Sequence, residues 1–528
     1  MIAQNRNNGT RGEKVAKNML FAIAAQAFMV IVNFVLRKVF LMILDETYLG
    51  LNGLFSDLLS MLSLAELGFG TSIVFSLYKP LAENDTEAVK SLMRYFRNVY
   101  RAVAAFVAGA GLLLTPWLQF FISEIPDIPG GLNYIRLVYI INVVNSASSY
   151  LFIYHASLLY ADQKKYTELL ITSVVKLAAA VLQIITLLLT RSYIAYIIIM
   201  VVSTVTQNAA VSIYARREYP YLKDKNVCKP DSGTRKTIAG NVRAMLLHKL
   251  GAVVIFSTDS IIISKFISLA TVGIYSNYML IRKALLSVIE PMFNAITAGF
   301  GNLNACENDE KKYAAFNNLL FFSAWLFGFC GISMFCIYNA FIEVWLGGDR
   351  LFDTKTVLLI VISFYLYCIR LPLGTARDAC GLFRRDMWKP VFESVINIVL
   401  SVWWVKLFGI SGVVLGTIAS TVLVPLWVEP LVVYKYGLKK NPLRFFGRFF
   451  VYTAVTAGAG ILTWLLCGLM PGGIVGILLR CCVCVIVPNC IFFVLSFRMP
   501  EFKYLLGFAK GYAGKLLSGM KRGGHDNE

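Results

Sequence analysis

The stretch LLFFSAWLFGFCGISMFCIY, from Leu319 to Tyr338, runs for 20 residues without a charged side chain. An α-helix needs about 20 mostly apolar residues to cross the hydrocarbon core of a bilayer, so this stretch predicts a transmembrane helix. The chain as a whole has the same character, because 58% of its 528 residues are hydrophobic and only 15% are charged. This composition excludes a soluble globular protein and predicts a membrane protein.

Apolar windows of this kind recur along the whole chain, and they predict an all-α polytopic membrane protein with about fourteen transmembrane helices. That many spans use more than half of the residues, so the loops are short and no separate soluble domain is expected. The first apolar run is too long for the core of a signal peptide and is interpreted as an uncleaved span. The predicted spans cover residues 19–44, 49–78, 98–122, 132–160, 167–190, 193–215, 246–267, 272–299, 315–340, 356–381, 390–408, 411–434, 446–468 and 473–497.

A polar stretch between the sixth and seventh spans divides the chain into groups of six and eight spans. It is rich in Lys, Arg, Asp and Ser, a composition typical of a linker. The tail after the last span has apolar residues on one helical face, which predicts an amphipathic helix at the membrane surface; a frayed tail is the alternative. The predicted domains are an N-terminal six-helix lobe (1–215), a linker (216–245), a C-terminal six-helix lobe (246–435), two additional helices (436–497) and the tail (498–528).

A weak internal repeat relates the two halves of the chain at an offset of about 220 residues. The sequence YLGLNGLF (Tyr48–Phe55) aligns with TVGIYSNY (Thr271–Tyr278), and ADQKKY (161–166) aligns with GLFRRD (381–386). The offset corresponds to six spans, an even number, so it predicts parallel repeats related by an axis along the membrane normal. Transport between two such lobes is the function that this arrangement favours.

The distribution of basic residues predicts how the chain is oriented. Most of its 50 Lys and Arg residues fall in the loops and tails on one side, whereas the loops on the other side hold only Arg191, Arg350, Lys355 and Lys406. Basic loops are typical of the cytoplasmic side, so we predict a multi-pass protein of the cell membrane with both termini and the linker in the cytoplasm. The net charge of +20 is explained in this way, and nucleic acid is not a predicted partner.

Signatures of enzymes and metal sites are scarce in the sequence. Motifs for nucleotide binding, zinc hydrolysis and serine hydrolysis are missing, and the chain has only three histidines. Cys481 and Cys484 form a CxxC inside an apolar span, without a second pair or a nearby histidine, which favours packing over metal or redox chemistry. We therefore predict no catalytic residue, no metal and no bound cofactor.

Charged residues inside the predicted spans are the candidates for function, because an unpaired charge near the bilayer centre costs at least about 2.5 to 3.5 kcal/mol. Basic residues predominate among them, which favours an anionic substrate. The predicted substrate ligands are Arg37, Lys38, Arg282, Lys283 and Arg370. The candidates for coupling to a proton or sodium ion are Asp259, Glu290 and Glu393.

Structural roles remain open for several of these charges. Lys249 and Lys265 lie near span ends, where a lysine can extend its ammonium group to the interface. Arg282 and Glu290 could form an ion pair between helix turns. Asp259 is flanked by hydroxyl side chains, so it could belong either to an ion site or to a polar cluster that packs helices.

Two stretches, YLGLNGLFSDLLSMLSLAELGFGTSIVFSLYKPLAENDTE (Tyr48–Glu87) and TDSIIISKFISLATVGIYSNY (Thr258–Tyr278), resemble the multidrug/oligosaccharidyl-lipid/polysaccharide (MOP) exporter superfamily, and within it the Wzx-type polysaccharide flippases. The resemblance implies a MATE-like fold of two six-helix lobes around a central cavity, two additional C-terminal helices, and alternating access. Members carry undecaprenyl-diphosphate oligosaccharides in cavities that are typically cationic. Spans one, two, seven and eight line that cavity, and they contain Arg37, Asp259, Arg282 and Lys283.

The function expected from this resemblance is that of a flippase that moves a polyprenyl-diphosphate oligosaccharide to the outer leaflet for surface polysaccharide biosynthesis. The membrane potential, a proton or sodium would supply the energy, and a polysaccharide polymerase and glycosyltransferases would be partners. A cation-coupled multidrug exporter of the same superfamily is the alternative, although the excess of basic residues disfavours it. A membrane-embedded polymerase or transferase is disfavoured by the short outer loops.

Overall fold

The computed structural model describes residues 11–63, 69–224, 257–382 and 385–507, and single residues between 230 and 238 and at 510. Most of the predicted linker, Lys249 and the greater part of the predicted tail lie outside the described residues. The chain forms two compact units, which we call unit 1 (Met1–Val288 and Ser401–Val413) and unit 2 (Ile289–Leu400 and Val414–Glu528).

Helices account for all regular secondary structure in the part of the chain that the structure describes. The first nine helices are α1 (Arg11–Ile43), α2 (Glu46–Leu62), α3 (Phe69–Ala82), α4 (Thr86–Leu114, continued by a 3-10 helix, Thr115–Phe121), α5 (Gly131–Ser149), α6 (Tyr154–Ala161), α7 (Lys165–Thr190), α8 (Tyr193–Glu218) and α9 (257–266). The others are α10 (Leu269–Cys306), α11 (Asp309–Leu346), α12 (Thr354–Cys368), α13 (Leu371–Ala379), α14 (Lys389–Phe408), α15 (Ile410–Leu423), α16 (Pro425–Val432), α17 (Leu443–Gly468), α18 (Gly473–Ser496) and a short helix over 500–507.

Twelve helical segments within the described residues are long and apolar enough to cross a membrane. The prediction of an all-α polytopic membrane protein is therefore confirmed. The two other predicted spans are 49–78, which corresponds to α2 and α3, and 246–267, of which the structure describes only α9. The number fourteen therefore stays a prediction.

Several helices begin at a side chain that accepts hydrogen bonds from the otherwise unpaired N–H groups of the first turn. The carboxylate of Asp45 accepts from the N–H of Thr47 at 2.9 Å and starts α2. The carboxylate of Asp85 accepts from the N–H of Ala88 at 2.9 Å and starts α4. Local capping thus separates consecutive membrane helices that are joined by loops of only a few residues.

Two of the predicted spans, 132–160 and 356–381, are interrupted at corresponding places in the two halves, and a third, 411–434, is divided into α15 and α16. The span 132–160 consists of α5 and α6, and the span 356–381 consists of α12 and α13. Tyr150 ends α5 and Arg370 precedes α13, so the two interruptions lie at the offset of about 220 residues that the sequence repeat predicts. Pro372 explains the second one, because a proline has no N–H to donate to the carbonyl four residues earlier and its ring clashes with that carbonyl.

In unit 2, α11 packs against α17 and α18 through small and aromatic side chains. A Cβ at Gly328 would come within 2.9 Å of the Phe492 ring, so glycine allows the close approach of α11 and α18. The thiols of Cys336, Cys467 and Cys484 lie within 4.8 Å of one another in an apolar cluster. The predicted tail begins against the same surface, where Phe502 stacks on Trp325 with ring centroids 5.6 Å apart.

Candidate functional site

The guanidinium of Arg37 is attached to α10 by two neutral side chains. Its Nη1 donates to Ser276 Oγ at 2.8 Å and to Asn277 Oδ1 at 3.1 Å. Arg37 is half-buried, and Asn277 is fully buried. The structure gives Arg37 no carboxylate partner among the described residues, so one cation of unit 1 is held inside a membrane helix by neutral groups alone.

A mixed cluster of charges lies further along α10. Asp259 of α9 is 7% exposed and accepts a hydrogen bond from the Tyr275 hydroxyl at 3.1 Å. Arg282, which is 8% exposed, interacts electrostatically with the same tyrosine. Asp57 of α2 accepts a hydrogen bond from Ser260 and interacts electrostatically with Lys283. Unit 1 therefore brings Arg282, Lys283 and Asp259 into one cluster with Asp57.

The other predicted substrate ligands of unit 1 are more accessible. Lys283 and Lys38 are both exposed in the structure. Ser276 and Arg282 are six residues apart on α10, which corresponds to about 9 Å along the helix axis. Cations from α1 and α10 thus lie within about two turns of one another along α10.

Unit 2 contains a denser network of paired charges. Arg370 donates from Nε and Nη2 to the two carboxylate oxygens of Glu429 at 2.8 and 2.7 Å. Lys389 contacts the same carboxylate at 2.5 Å and Asp386 at 3.4 Å. Arg377 extends the network, because its Nη1 donates to Asp386 at 3.1 Å. Arg370 therefore has a bidentate carboxylate partner, unlike Arg37.

The two glutamates predicted for ion coupling occupy different surroundings. Glu393 is 7% exposed, lies 3.9 Å from Arg370 and accepts a hydrogen bond from Thr421 at 3.5 Å. Glu290 is exposed and accepts a hydrogen bond from the Tyr367 hydroxyl at 2.9 Å. Of the two, Glu393 is the buried carboxylate, and it lies within ion-pair distance of Arg370.

Five charged residues of these clusters are not among the sequence-based candidates: Asp57, Arg377, Asp386, Lys389 and Glu429. Asp57 and Glu429 lie inside predicted spans, and each is the single carboxylate of an apolar run, LFSDLLSML and PLWVEPLVV respectively. An isolated carboxylate in an apolar run is the same signal that selected Asp259, so the sequence contains the information needed to find both. Lys389 lies at the start of α14, where a membrane-interface lysine is common and carries no such signal.

Comparison with known proteins gives similarity at the level of structure only. No protein-family model matches the chain, and no curated protein matches its sequence. The solved structure of the lipid II flippase MurJ in an inward closed conformation is similar, with a TM-score of 0.64 and 12% identity, over 90% of this chain and 98% of that chain.

Multidrug transporters have the same fold. The inward-facing structure of a multidrug resistance MATE family transporter of the MOP superfamily has a TM-score of 0.61 and 12% identity, over 77% of this chain and 94% of that chain. A mutant of the Vibrio cholerae MATE transporter VcmN has a TM-score of 0.55 and 14% identity, over 81% and 98%. The chain therefore shares its fold with these MATE family transporters and with the lipid II flippase MurJ.

Proposed function

We propose that the chain is a flippase that moves a polyprenyl-diphosphate oligosaccharide from the cytoplasmic to the outer leaflet of the cell membrane. The observation that carries the proposal is the guanidinium of Arg37, which is held by neutral Ser276 and Asn277. An unpaired charge in a membrane helix costs at least about 2.5 to 3.5 kcal/mol, so a cation kept there without a carboxylate favours an anionic ligand.

The geometry of Arg37 suits a phosphate group. Both of its hydrogen bonds come from Nη1, so the N–H groups of Nη2 and Nε have no partner among the described residues. A guanidinium presents parallel N–H donors that match two phosphate oxygens, and such charge-assisted pairs are strong in a site shielded from water. The neutral side chains of Ser276 and Asn277 fix the guanidinium without neutralising it, so its positive charge remains available to the substrate.

Arg282 and Lys283 provide further positive charge on α10 for the rest of a diphosphate headgroup. They lie beside Asp57 and Asp259, so this part of the site is partly neutralised. We propose that Arg37 binds the phosphates directly and that Arg282 and Lys283, with exposed Lys38, attract the headgroup. The Arg370 guanidinium already has a bidentate carboxylate partner, Glu429, so among the predicted substrate ligands it gives the proposal the least support.

The structural likeness supports a lipid-linked substrate. The likeness to the lipid II flippase extends over 90% of this chain, whereas the likeness to the MATE family transporter extends over 77%. A polysaccharide polymerase and glycosyltransferases, which act on the same glycan, are the partners that we propose. The cytoplasmic position of both termini remains a prediction from the loop charges.

A cation-coupled multidrug exporter is the second candidate function, and the buried carboxylates favour it. Asp259 in unit 1 and Glu393 in unit 2 are each 7% exposed, and the hydroxyls of Ser257, Thr258 and Ser260 surround the former in sequence. Carboxylate and hydroxyl oxygens are the ligands that a sodium ion, a proton or a cationic drug would use. Arg37 argues against a cationic substrate, because it adds an uncompensated positive charge.

Reconstitution of the full chain into sealed vesicles tests the flippase proposal. The substrate is a polyprenyl-diphosphate oligosaccharide with a fluorescent sugar, and the measurement is the fraction of headgroups that an impermeant quencher reaches with time. We expect Arg37→Ala to reduce flipping to the level of protein-free vesicles at normal protein abundance. Arg37→Lys should restore part of the rate, because lysine keeps the charge but loses the parallel donors.

Arg101→Ala is the matched control, because Arg101 is exposed on α4 and lies in no charge cluster described above. It should leave flipping unchanged. Unchanged flipping in the Arg37→Ala, Arg282→Ala double variant would refute the proposed diphosphate site. Transport of a cationic dye that depends on Asp259 in the same vesicles would favour the multidrug exporter.

A further inference from the structure

Unit 1 contains a second polar site, a cavity of about 530 Å³ at the ends of membrane helices. Its walls come from the first turns of α4, from α6, from the last turn of α8 and from residues 222–224. The volume lies within the range of cavities that bind small ligands. The residues that line it are distinct from the charged cluster on α1 and α10.

The lining of this cavity is strongly cationic. Among the described residues, five basic side chains line it, and Asp224 is the one carboxylate. That carboxylate already accepts from Lys90 at 3.0 Å, and Lys90 also contacts Glu87. The basic side chains are Lys90, Arg94, Arg97, Arg216 and Lys223.

Two buried nitrogen atoms in the lining lack a hydrogen-bond partner within the described part of the chain. One is Nε of Arg97, and the other is Nδ1 of His155, although the His155 imidazole also interacts with the backbone of Phe152. His155 is only 3% exposed, and its ring packs on Tyr154 with centroids 4.1 Å apart. Arg97 and Arg216 both interact electrostatically with this histidine. Buried polar atoms are nearly always paired in folded proteins, so unpaired nitrogens in two residues that line a cavity favour a ligand site there.

Basic residues at the ends of membrane helices are often simple topology signals, and such residues extend into water. The basic residues of this cavity line one common space; Arg94, Arg216 and Lys223 are exposed, whereas Lys90 and the imidazole of His155 are buried. Bringing several like charges together is unfavourable unless an anion neutralises them. Guanidinium groups at short spacing select planar or tetrahedral oxyanions, and phosphate carries more charge per group than a carboxylate.

We propose that this cavity is a binding site for a phosphomonoester or diphosphate group, supplied by a soluble anion or by a lipid headgroup. Arg97 and Arg216 bind the phosphate oxygens, and His155 donates or accepts a further hydrogen bond at its free nitrogen. The site is independent of the transported substrate, because it shares no residue with the cluster around Arg37.

Binding of inorganic pyrophosphate to the purified full chain in phosphatidylcholine nanodiscs tests the soluble source. We expect binding that weakens as ionic strength rises. Arg97→Gln and Arg216→Gln should each weaken it at least about tenfold, because each removes a charge-assisted hydrogen bond. Arg101→Gln and Arg217→Gln are the matched controls: they remove the same charge from exposed positions of α4 and α8 that do not line the cavity.

Nanodiscs that contain phosphatidic acid test the lipid source. If a headgroup occupies the cavity, native mass spectrometry should show phosphatidic acid retained by the wild type and lost in the Arg97→Gln, Arg216→Gln double variant. The lipid should also compete with pyrophosphate. If pyrophosphate binds and phosphatidic acid does not compete with it, the ligand is a soluble anion. If only phosphatidic acid is retained, and retention depends on Arg97 and Arg216, the ligand is a lipid headgroup.

Both of these results support the site. Equal weakening by Arg101→Gln and Arg217→Gln would overturn the proposal, because it would show a general effect of net charge. Absence of binding of either probe to the wild type would overturn it as well. The pyrophosphate measurements are repeated in an Arg37→Ala background, which removes the phosphate ligand of the proposed flippase site, so the dependence on Arg97 and Arg216 succeeds or fails separately from the flippase proposal.

Discussion

Arg37 and Arg370 are kept inside membrane helices in two different ways. Arg37 donates only to neutral Ser276 and Asn277. Arg370 forms a bidentate pair with Glu429, and Lys389 contacts the same carboxylate at 2.5 Å. A buried ion pair offsets its desolvation only while both partners are present. Removal of Arg37 therefore leaves neutral groups behind, whereas removal of Glu429 leaves two cations without their main partner.

This difference predicts that Glu429 is required for folding. Glu429→Ala should destabilise unit 2 by about 3 to 5 kcal/mol, because it leaves Arg370 and Lys389 buried and incompletely paired. The measurements are thermal unfolding of the purified protein and its abundance in the membrane. The Arg370→Gln, Glu429→Gln double variant should recover part of the loss, since it removes charge from both sides of the pair.

Glu290→Gln is the control for this prediction, because Glu290 is exposed and its one described contact is with Tyr367. It should leave abundance unchanged. Wild-type abundance of Glu429→Ala would contradict a structural role for the network and would strengthen the case for Arg370 as a substrate ligand.

The sequence identifies individual charges better than it identifies their partners. Arg37, Arg370 and Glu393 stand out because each is a charge in an apolar window. Their partners cannot be predicted in this way, because Arg370 and Glu429 are 59 residues apart and lie on different helices. Whether a cation is paired depends on tertiary packing, and this decides between a structural and a ligand-binding role.

At the scale of helices, α2 and α10 make a reciprocal contact at two glycines. A Cβ on Gly50 would overlap the backbone carbonyl of Leu269, and a Cβ on Gly273 would overlap that of Glu46. Gly50 thus faces Leu269, four residues before Gly273, and Gly273 faces Glu46, four residues before Gly50. Reciprocal contacts of this kind are expected where a two-fold axis relates two elements. The two glycines are also equivalent positions in the aligned stretches YLGLNGLF and TVGIYSNY.

We expect alanine at either glycine to disrupt this contact. Gly50→Ala and Gly273→Ala should each lower stability by at least about 1 to 3 kcal/mol, because rigid backbone on the other helix must move to make room. Thermal unfolding and membrane abundance measure the effect. Gly109→Ala is the matched control, because no atom lies within 4 Å of a Cβ at that position of α4. If Gly109→Ala lowered stability as much as Gly50→Ala and Gly273→Ala, the explanation by close helix contact would be contradicted.

Helix positions follow closely from hydropathy, whereas interruptions within helices do not. The predicted span 390–408 corresponds to α14, and the predicted span 473–497 corresponds to α18. The breaks near Tyr150 and Arg370 were not predicted, because a hydropathy window measures composition and is insensitive to local backbone geometry. Pro372 is the local signal for the break near Arg370. No proline lies near the break at Tyr150.

For the whole molecule, the fold was predictable and the energy source was not. Composition and loop charges predict a polytopic protein with a defined orientation, and the stretches that resemble the superfamily predicted the fold that the structure has. A coupling ion leaves no comparable pattern, because Asp259 has the same sequence surroundings in an ion site and in a packing cluster. Transport measurements must distinguish a potential-driven from an ion-coupled mechanism.

The last prediction is that the membrane potential alone drives the proposed flippase. Moving one negative charge outward across a potential of 100 mV, negative inside, is favourable by about 2.3 kcal/mol. A diphosphate headgroup with two charges should therefore shift its outer-to-inner ratio by up to about a hundredfold at 60 mV. The measurement is headgroup accessibility in vesicles with a potassium diffusion potential, in sodium-free buffer at equal pH on both sides. Reversing the potential should reverse the ratio, and Asp259→Asn should respond as the wild type does. A ratio that ignores the potential but follows a sodium or pH gradient, and loses that response in Asp259→Asn, would instead establish ion coupling at Asp259.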